Sequence, residues 1–146
     1  MSHKSDNYWD ILSQLAQKAA DEGEVPVAAL LVKNRHVIAQ GYNLVETLND
    51  PTLHAEIVVL REGFKQLGKY LTECDLYVTL EPCPMCAHAL KLSKIRRLYF
   101  GAYDPKGGGI EHGARCLGDL NRLQVFGGFH EKRFNAFLTS FFDARR

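Results

Sequence analysis

The chain has 146 residues, of which 46% are hydrophobic and 24% charged, with a formal net charge of +1. This length and composition suit one domain with a proper core, expected over residues 1–146, and the near-zero charge excludes a strongly basic whole-molecule field. No stretch approaches the roughly twenty apolar residues of a membrane helix, and the polar start Met1–Asp6 lacks a leader pattern, so the expected setting is cytoplasmic with no membrane role.

Apolar groups recur at Tyr8, Ile11, Leu12, Leu15, Ala16 and Ala19, one stripe of a helix over Asn7–Glu22 closed by Gly23. Val25–Val32 reads as a buried strand, with Pro26 tolerated only near its start or on an edge. Lys33-Asn34-Arg35 then turns into a second strand, His36–Gly41, to give a hairpin. His36 is expected at the surface. Tyr42–Asn49 has neither period and is a loop. Asp50-Pro51 predicts a helix start, with the acid as cap and the proline in the first turn. That helix should run to about Gln66, before Gly68.

Asp75–Leu80 is a third strand, broken by Glu81-Pro82. Cys83–Leu92 forms the next helix and Arg97–Phe100 the fourth strand. Tyr103–Gly113 is a glycine-rich loop, Leu123–Phe126 a short further strand, and Glu131–Phe142 the last helix. The alternation predicts an α/β fold, a three-layer α-β-α sandwich around a single mixed sheet of about five strands.

Two motifs carry the chemistry. His54-Ala55-Glu56 supplies an imidazole and a carboxylate; Pro82-Cys83-Pro84-Met85-Cys86 supplies two sulfurs one helical turn apart. One nitrogen and two sulfur ligands suit zinc and leave its fourth position open. A redox dithiol would need no upstream His-x-Glu, and a structural zinc knuckle would need a fourth protein ligand. His54, Cys83 and Cys86 are therefore the expected metal ligands. Glu56 is the expected proton shuttle, serving as base and then acid in a metal-assisted hydrolysis. Both motifs open helices, whose N-terminal partial charge favours thiolates. Of the remaining thiols, Cys74 is expected in the core and Cys116 in a loop.

Over nearly its whole length the chain resembles the bacterial tRNA adenosine deaminases of the TadA type, within the cytidine-deaminase-like superfamily. The residues that carry the resemblance are Glu24-Val25-Pro26-Val27, Gly41-Tyr42-Asn43 and Asn49–Glu56. Tyr77–Cys86, Phe100–Gly108 and the closing Phe141–Arg146 continue it. His-x-Glu followed by Pro-Cys-x-x-Cys is itself the mark of zinc-dependent nucleobase deaminases.

The resemblance implies hydrolytic conversion of adenosine to inosine at the wobble position of a tRNA anticodon, by a homodimer holding one Zn2+ per subunit. It implies that Asn43 bonds the flipped purine, that backbone groups at Ala55 hold its Watson–Crick edge, and that Asp104 approaches a neighbouring ribose. Ala28 stands where the family usually has glycine, His88 where it has a small residue, and the chain stops at Arg146 without the basic tail of some relatives. His88 is expected on a packed or dimer surface, with no ligand role.

For RNA the residues themselves offer local basic clusters, at Lys91, Lys94, Arg96 and Arg97, at Lys132-Arg133 and at Arg145-Arg146. Each is also explicable as a solvated face. Phe141 and Phe142 could stack on bases, although a helix's apolar stripe accounts for at least one of them. Two rivals share parts of this equipment. A deaminase of a free base or nucleotide, of the guanine, cytosine or dCMP type, would keep the metal site and the shuttle. A non-catalytic partner subunit would typically lack Glu56.

Overall fold

The computed structural model describes residues 2–113, 115, 117 and 123–145, with side chains from Asn7 onward. Four helices flank a five-stranded sheet: α1 (Ser2–Asp21), β1 (Ala28–Lys33), β2 (His36–Tyr42), α2 (Ala55–Leu67), β3 (Cys74–Leu80), α3 (Pro84–Leu92), β4 (Arg97–Ala102), β5 (Gln124–Phe126) and α4 (Glu131–Asp143). The strand order is β2-β1-β3-β4-β5. β1 runs antiparallel to β2 and β3, whereas β3, β4 and β5 are mutually parallel, so the sheet is mixed. The expected three-layer α/β sandwich is what the chain forms.

The central strands are apolar on both sides because each side is covered. On β1, Ala29 and Leu31 face the core under α2 and α3, together with Val59, Leu60, Leu90 and Leu98. Ala28, Leu30 and Val32 alternate onto the opposite face, against Trp9, Leu12 and Ala16 of α1 and Phe134 of α4. Period-two side chains on one strand thus feed two separate cores. Cys74 is fully buried at the start of β3, as expected, while Cys116 lies outside the described residues.

Two turns match their residues closely. Gly23 sits at φ +84°, with its N–H on Ala20 O and the next N–H, of Glu24, on Ala19 O. That is the double bond of a Schellman end, which needs the left-handed conformation glycine adopts at little cost. The β1–β2 connection has Asn34 at φ 50° and Arg35 at φ 65° between the paired Lys33 and His36. Two left-handed central residues make a type I′ hairpin, whose twist matches the strands it joins. His36 is exposed, as expected.

Three boundaries differ from the sequence expectation. α1 begins at Ser2, five residues earlier than its apolar stripe suggested. β1 begins at Ala28 instead of Val25, because Val27 N–H closes a tight turn onto Val25 O and does not join a ladder. α2 begins at Ala55, not at Pro51. Asp50 does cap, but locally: its Oδ1 accepts both the N–H of Thr52 at 2.9 Å and the Thr52 hydroxyl at 2.7 Å. An Asx turn of this kind satisfies the acid within two residues and offers the backbone an alternative to helix.

Strand directions gather the site. β1 antiparallel to β3 brings the start of β1 beside the end of β3, through Ala29 opposite Val78 and the Ala28 N–H on Thr79 Oγ1. The end of β2 and the end of β4 come to the same edge, and both α2 and α3 start there. In open α/β sheets such an edge, beyond the carboxyl ends of parallel strands, is where ligands bind.

Candidate metal centre and substrate pocket

His54 is the N-cap of α2 (φ −66°, ψ 157°) and Cys83 the N-cap of α3 (φ −71°, ψ 171°). Neither caps with its side chain, and the two side chains turn toward each other. His54 Nδ1 lies 3.5 Å from Cys83 Sγ and 3.7 Å from Cys86 Sγ. The donor atoms of all three residues fall within 4.8 Å of one another, and among the described residues no other His, Cys, Asp or Glu joins that group. A tetrahedral zinc with Zn–S of about 2.3 Å and Zn–N of about 2.0 Å sets its nitrogen and sulfur ligands about 3.5 Å apart. The spacing and the donor chemistry fit that ion. The expected triad is therefore brought together, with His54 one residue before its helix and not inside the first turn.

Local sequence explains the convergence. Pro82 ends β3, Cys83 occupies the half-in position, and Pro84 fills the first helical position, where its missing N–H is no loss. Cys86 then lies one turn along, fully buried. The two thiols divide their protons unequally: the bond from Cys86 draws Cys83 down to about 4, while the same bond and burial push Cys86 up. His54 is pushed up chiefly by its bond to Cys83. Cys83 is thus a ready thiolate at a helix N-terminus.

Glu56 lies in the first turn of α2 and is 97% buried, with 3% of its surface exposed. Burial is the main cause that pushes its carboxyl up to about 7, opposed by a backbone N–H and by His54, and reinforced by Cys83. A buried glutamic acid poised near neutrality, two residues from a metal ligand, can both take and give a proton.

A cavity of about 180 Å³ opens beside these groups, lined by Val25, Val27, Asn43, His54, Glu56, Leu80, Glu81, Cys83 and Asp104. Two of the three residues expected at the substrate are bonded to each other. Asn43 Oδ1 accepts the Ala55 N–H at 2.9 Å, and Asn43 Nδ2 donates to Val25 O at 3.2 Å. Asp104 reaches the same cavity from the end of β4. A wider groove of about 610 Å³ adjoins it, sharing Val25, Asn43 and His54 and extending to Phe141 and Arg145. The Arg145 guanidinium lies 3.5 Å from the centre of the Phe141 ring, which is buried, whereas Phe142 is half exposed.

The other basic clusters lie elsewhere. Arg96 holds Asp75 through two bonds of 3.0 Å, with Arg97 3.7 Å away, at the starts of β3 and β4 and so at the sheet edge opposite the cavity. Lys94 rests over Tyr70, and Arg133 pairs with Asp10. His88 is exposed on α3.

The sequence reading missed two buried carboxylates. Glu24 accepts the Glu46 N–H, the Thr47 N–H and the Thr47 hydroxyl, pinning the loop before α2. Glu81 accepts the N–H groups of Asp104, Ile110, Glu111 and His112 and lies 3.0 Å from His112 Nδ1, pinning the loop after β4. The available signal was an acid beside each pocket strand, where an apolar or turn residue would be ordinary.

Three comparisons fall in line with this geometry. Residues 2–102 match the model of the cytidine and deoxycytidylate deaminase zinc-binding region, and the chain belongs to that family. Within it, the chain is 44% identical over 135 residues to a tRNA-specific adenosine deaminase of Agrobacterium fabrum, covering 90% of this chain and 89% of the relative. The tRNA-specific adenosine deaminase of Bacillus subtilis is 47% identical over 82% of this chain and 68% of its own. A solved structure from biochemical and structural studies of A-to-I editing by tRNA:A34 deaminases superposes with a TM-score of 0.87 at 42% identity, covering 91% of this chain and 99% of that one.

Proposed function

We propose that this chain is a zinc-dependent hydrolytic deaminase that converts adenosine to inosine at the wobble position of a tRNA anticodon. It would act in the cytoplasm as a homodimer with one zinc per subunit. The observation that carries the reading is the buried Glu56 carboxyl beside a three-donor His54, Cys83, Cys86 group at the base of one cavity. The kinship to tRNA-specific adenosine deaminases supports the choice of substrate.

His54, Cys83 and Cys86 would hold the metal, which when bound supplies a Lewis acid with a coordination position left for water. Glu56 removes a proton from the attacking water and passes it to the ring nitrogen of adenine. Glu56 then takes the remaining proton from the hydroxyl newly bonded to the purine carbon and delivers it to the amine, so that the carbon–nitrogen bond breaks, ammonia leaves and the carbonyl of inosine forms. Burial raises the Glu56 carboxyl, which suits a group that must take and give a proton in turn. The apolar walls Val25, Val27 and Leu80 keep bulk water from competing for that proton.

Asn43 fixes the base. One Nδ2 hydrogen is bonded to Val25 O, and the other is available to a purine acceptor. Ala55 borders the Watson–Crick edge and Asp104 meets the ribose side. A base must leave its stack to enter a cavity of this kind, and an anticodon loop already presents unstacked bases. The adjoining groove toward Phe141 and Arg145 takes the neighbouring nucleotides, with the stacked arginine near phosphate.

The test is inosine formation in an RNA anticodon stem-loop carrying a wobble adenosine, compared with ammonia release from guanine, cytosine and dCMP. A second reading has an observation in its favour: a solved guanine deaminase from Bacillus subtilis is 39% identical, over 62% of this chain and 59% of that chain, with a TM-score of 0.60. Turnover of guanine without turnover of the stem-loop would establish that reading instead.

A further inference from the structure

Glu81 has a buried carboxylate that the deamination chemistry does not use. Its side chain is fully enclosed, it immediately precedes Pro82 and Cys83, and it accepts four backbone N–H groups. The closest are Glu111 at 2.8 Å, His112 at 2.9 Å and Asp104 at 3.0 Å. Its own N–H donates to Ala102 O at 2.8 Å. Through these bonds one residue holds both ends of the loop from 103 to 112. The loop in turn leans on the metal-ligand turn. Gly109 N–H donates to Pro82 O at 2.7 Å, and a Cβ on Gly109 would come within 2.6 to 2.8 Å of Pro84 and Cys83 backbone atoms. A Cβ on Gly108 would meet the Glu81 carboxylate itself at 2.6 Å.

The loop is therefore moulded onto Glu81 on one side and onto the Cys83 cap on the other, and the residue it delivers to the cavity is Asp104. Asp104 has little freedom of its own: its N–H is on Glu81, its carbonyl accepts Gly108 N–H at 3.0 Å, and its Oδ1 accepts Gly107 N–H at 2.9 Å. A glutamine at position 81 keeps one acceptor oxygen and replaces the other with an NH2 that points N–H at N–H. Either the Asp104 N–H or the N–H groups of Ile110, Glu111 and His112 would then lose their acceptor at the same side-chain volume.

We propose that Glu81 is a positioning residue for substrate recognition, whose enclosed carboxylate does not meet the substrate but fixes Asp104 at a set distance from the metal-ligand turn. It acts on substrate fit through Asp104 alone. This rests on the reading of Asp104 as a substrate contact given above.

The experiment is a double-mutant cycle on deamination of the anticodon stem-loop, with zinc content measured for every variant. Glu81→Gln and Asp104→Ala are each expected to raise KM about tenfold, with kcat changed less and zinc retained. Their combination is expected to be no worse than the more severe single change. Glu24→Gln removes an equally buried loop anchor unconnected to Asp104, and its effect should multiply with Asp104→Ala. If Glu81→Gln does not fold, His112→Ala removes one bond to the same carboxylate from a half-exposed position; its smaller rise in KM should likewise vanish in the Asp104→Ala background. Effects of Glu81 and Asp104 that multiply, or a Glu81→Gln enzyme with unchanged KM or with lost zinc, would overturn the proposal. A silent Asp104→Ala overturns it too, by removing the contact it depends on. A wild-type chain that makes no inosine from the stem-loop is a separate failure, of the substrate reading itself.

Discussion

Asn43 Oδ1 and the Ala55 N–H are 2.9 Å apart, a bond between the residue that follows β2 and the first residue of α2. It settles the start of the helix directly after its N-cap, His54. The Ala55 N–H is one of the four that a helix start leaves without an intrahelical partner. The same side chain donates to Val25 O, so Asn43 ties three segments of the cavity wall together.

Replacing Asn43 by alanine should therefore damage structure and turnover together. The buried Ala55 N–H and Val25 carbonyl would lose their partner, at about 1–3 kcal/mol. Urea unfolding measures that loss, and kcat/KM on the stem-loop should fall more steeply than stability alone explains. A variant of wild-type stability would mean that water or a neighbour replaces the amide.

Glu56→Gln should separate metal binding from chemistry. The amide fills the same volume and leaves His54, Cys83 and Cys86 in place, so zinc content should match wild type. Turnover should drop by about 10²–10⁴-fold, the usual contribution of a positioned acid–base group. Inosine formation near the wild-type rate would remove Glu56 from the mechanism.

Cys83→Ala should do the reverse and lose metal and stability at once. Loss of a bound metal is among the changes that can cost more than about 4 kcal/mol. A strong chelator on the wild-type chain should lower Tm in the same direction, and added zinc should restore it. Full zinc occupancy in Cys83→Ala, read by elemental analysis, would show that the ion is held by other ligands.

Acid should unfold the chain through its loop anchors. At Glu24 and at Glu81 burial works to raise the carboxyl, but the N–H and hydroxyl bonds outweigh it and hold both below the usual value of 4.5. A carboxyl depressed in the folded state adds stability at pH values above its unfolded value. That stability is lost as pH falls below about 4.5 and through the folded value. Urea midpoints from pH 7 to pH 3 should fall steeply below 5, and less steeply in Glu24→Gln and Glu81→Gln. Parallel curves for all three proteins would assign the acid limb to other groups.

Charge at the two edges of the sheet should have unlike effects. Arg145→Ala, at the groove beside the cavity, should raise KM for the stem-loop and flatten its salt dependence. Arg96→Ala, at the far edge, breaks the bidentate bond to Asp75 and should lower stability while leaving KM unchanged. Equal effects on KM would mean that RNA spans both edges.

Much of this was legible in the residues, for physical reasons. The metal donors were visible because ligand chemistry demands particular residue types at short spacings, and His54, Cys83 and Cys86 meet as that spacing implied. The central strands were visible because both faces of β1 and β3 are apolar, and the hairpin because Asn34 marks a left-handed turn. The start of α2 was misread because Asp50 is an equally good helix cap and Asx-turn former, and only the bond to Thr52 decides between them. The Arg96–Arg97 cluster stayed open between a nucleic-acid patch and a solvated face because sequence does not show that Asp75, more than twenty residues earlier, lies beside it. Glu24 and Glu81 were passed over because a glutamate is ordinarily solvated, and their partners are backbone amides that leave no mark on sequence.

The hairpin at Asn34-Arg35 stands at the edge of the sheet away from the cavity, as do the chain between α2 and β3 and the chain between α3 and β4. Of the three, the Asn34-Arg35 tip is exposed, whereas the other two carry the buried Leu71 and Ile95, so residues inserted at the tip are expected to leave the cavity undisturbed. Engineering of this scaffold thus has a permissive pole and a forbidden one, assigned by strand direction before any side chain is considered.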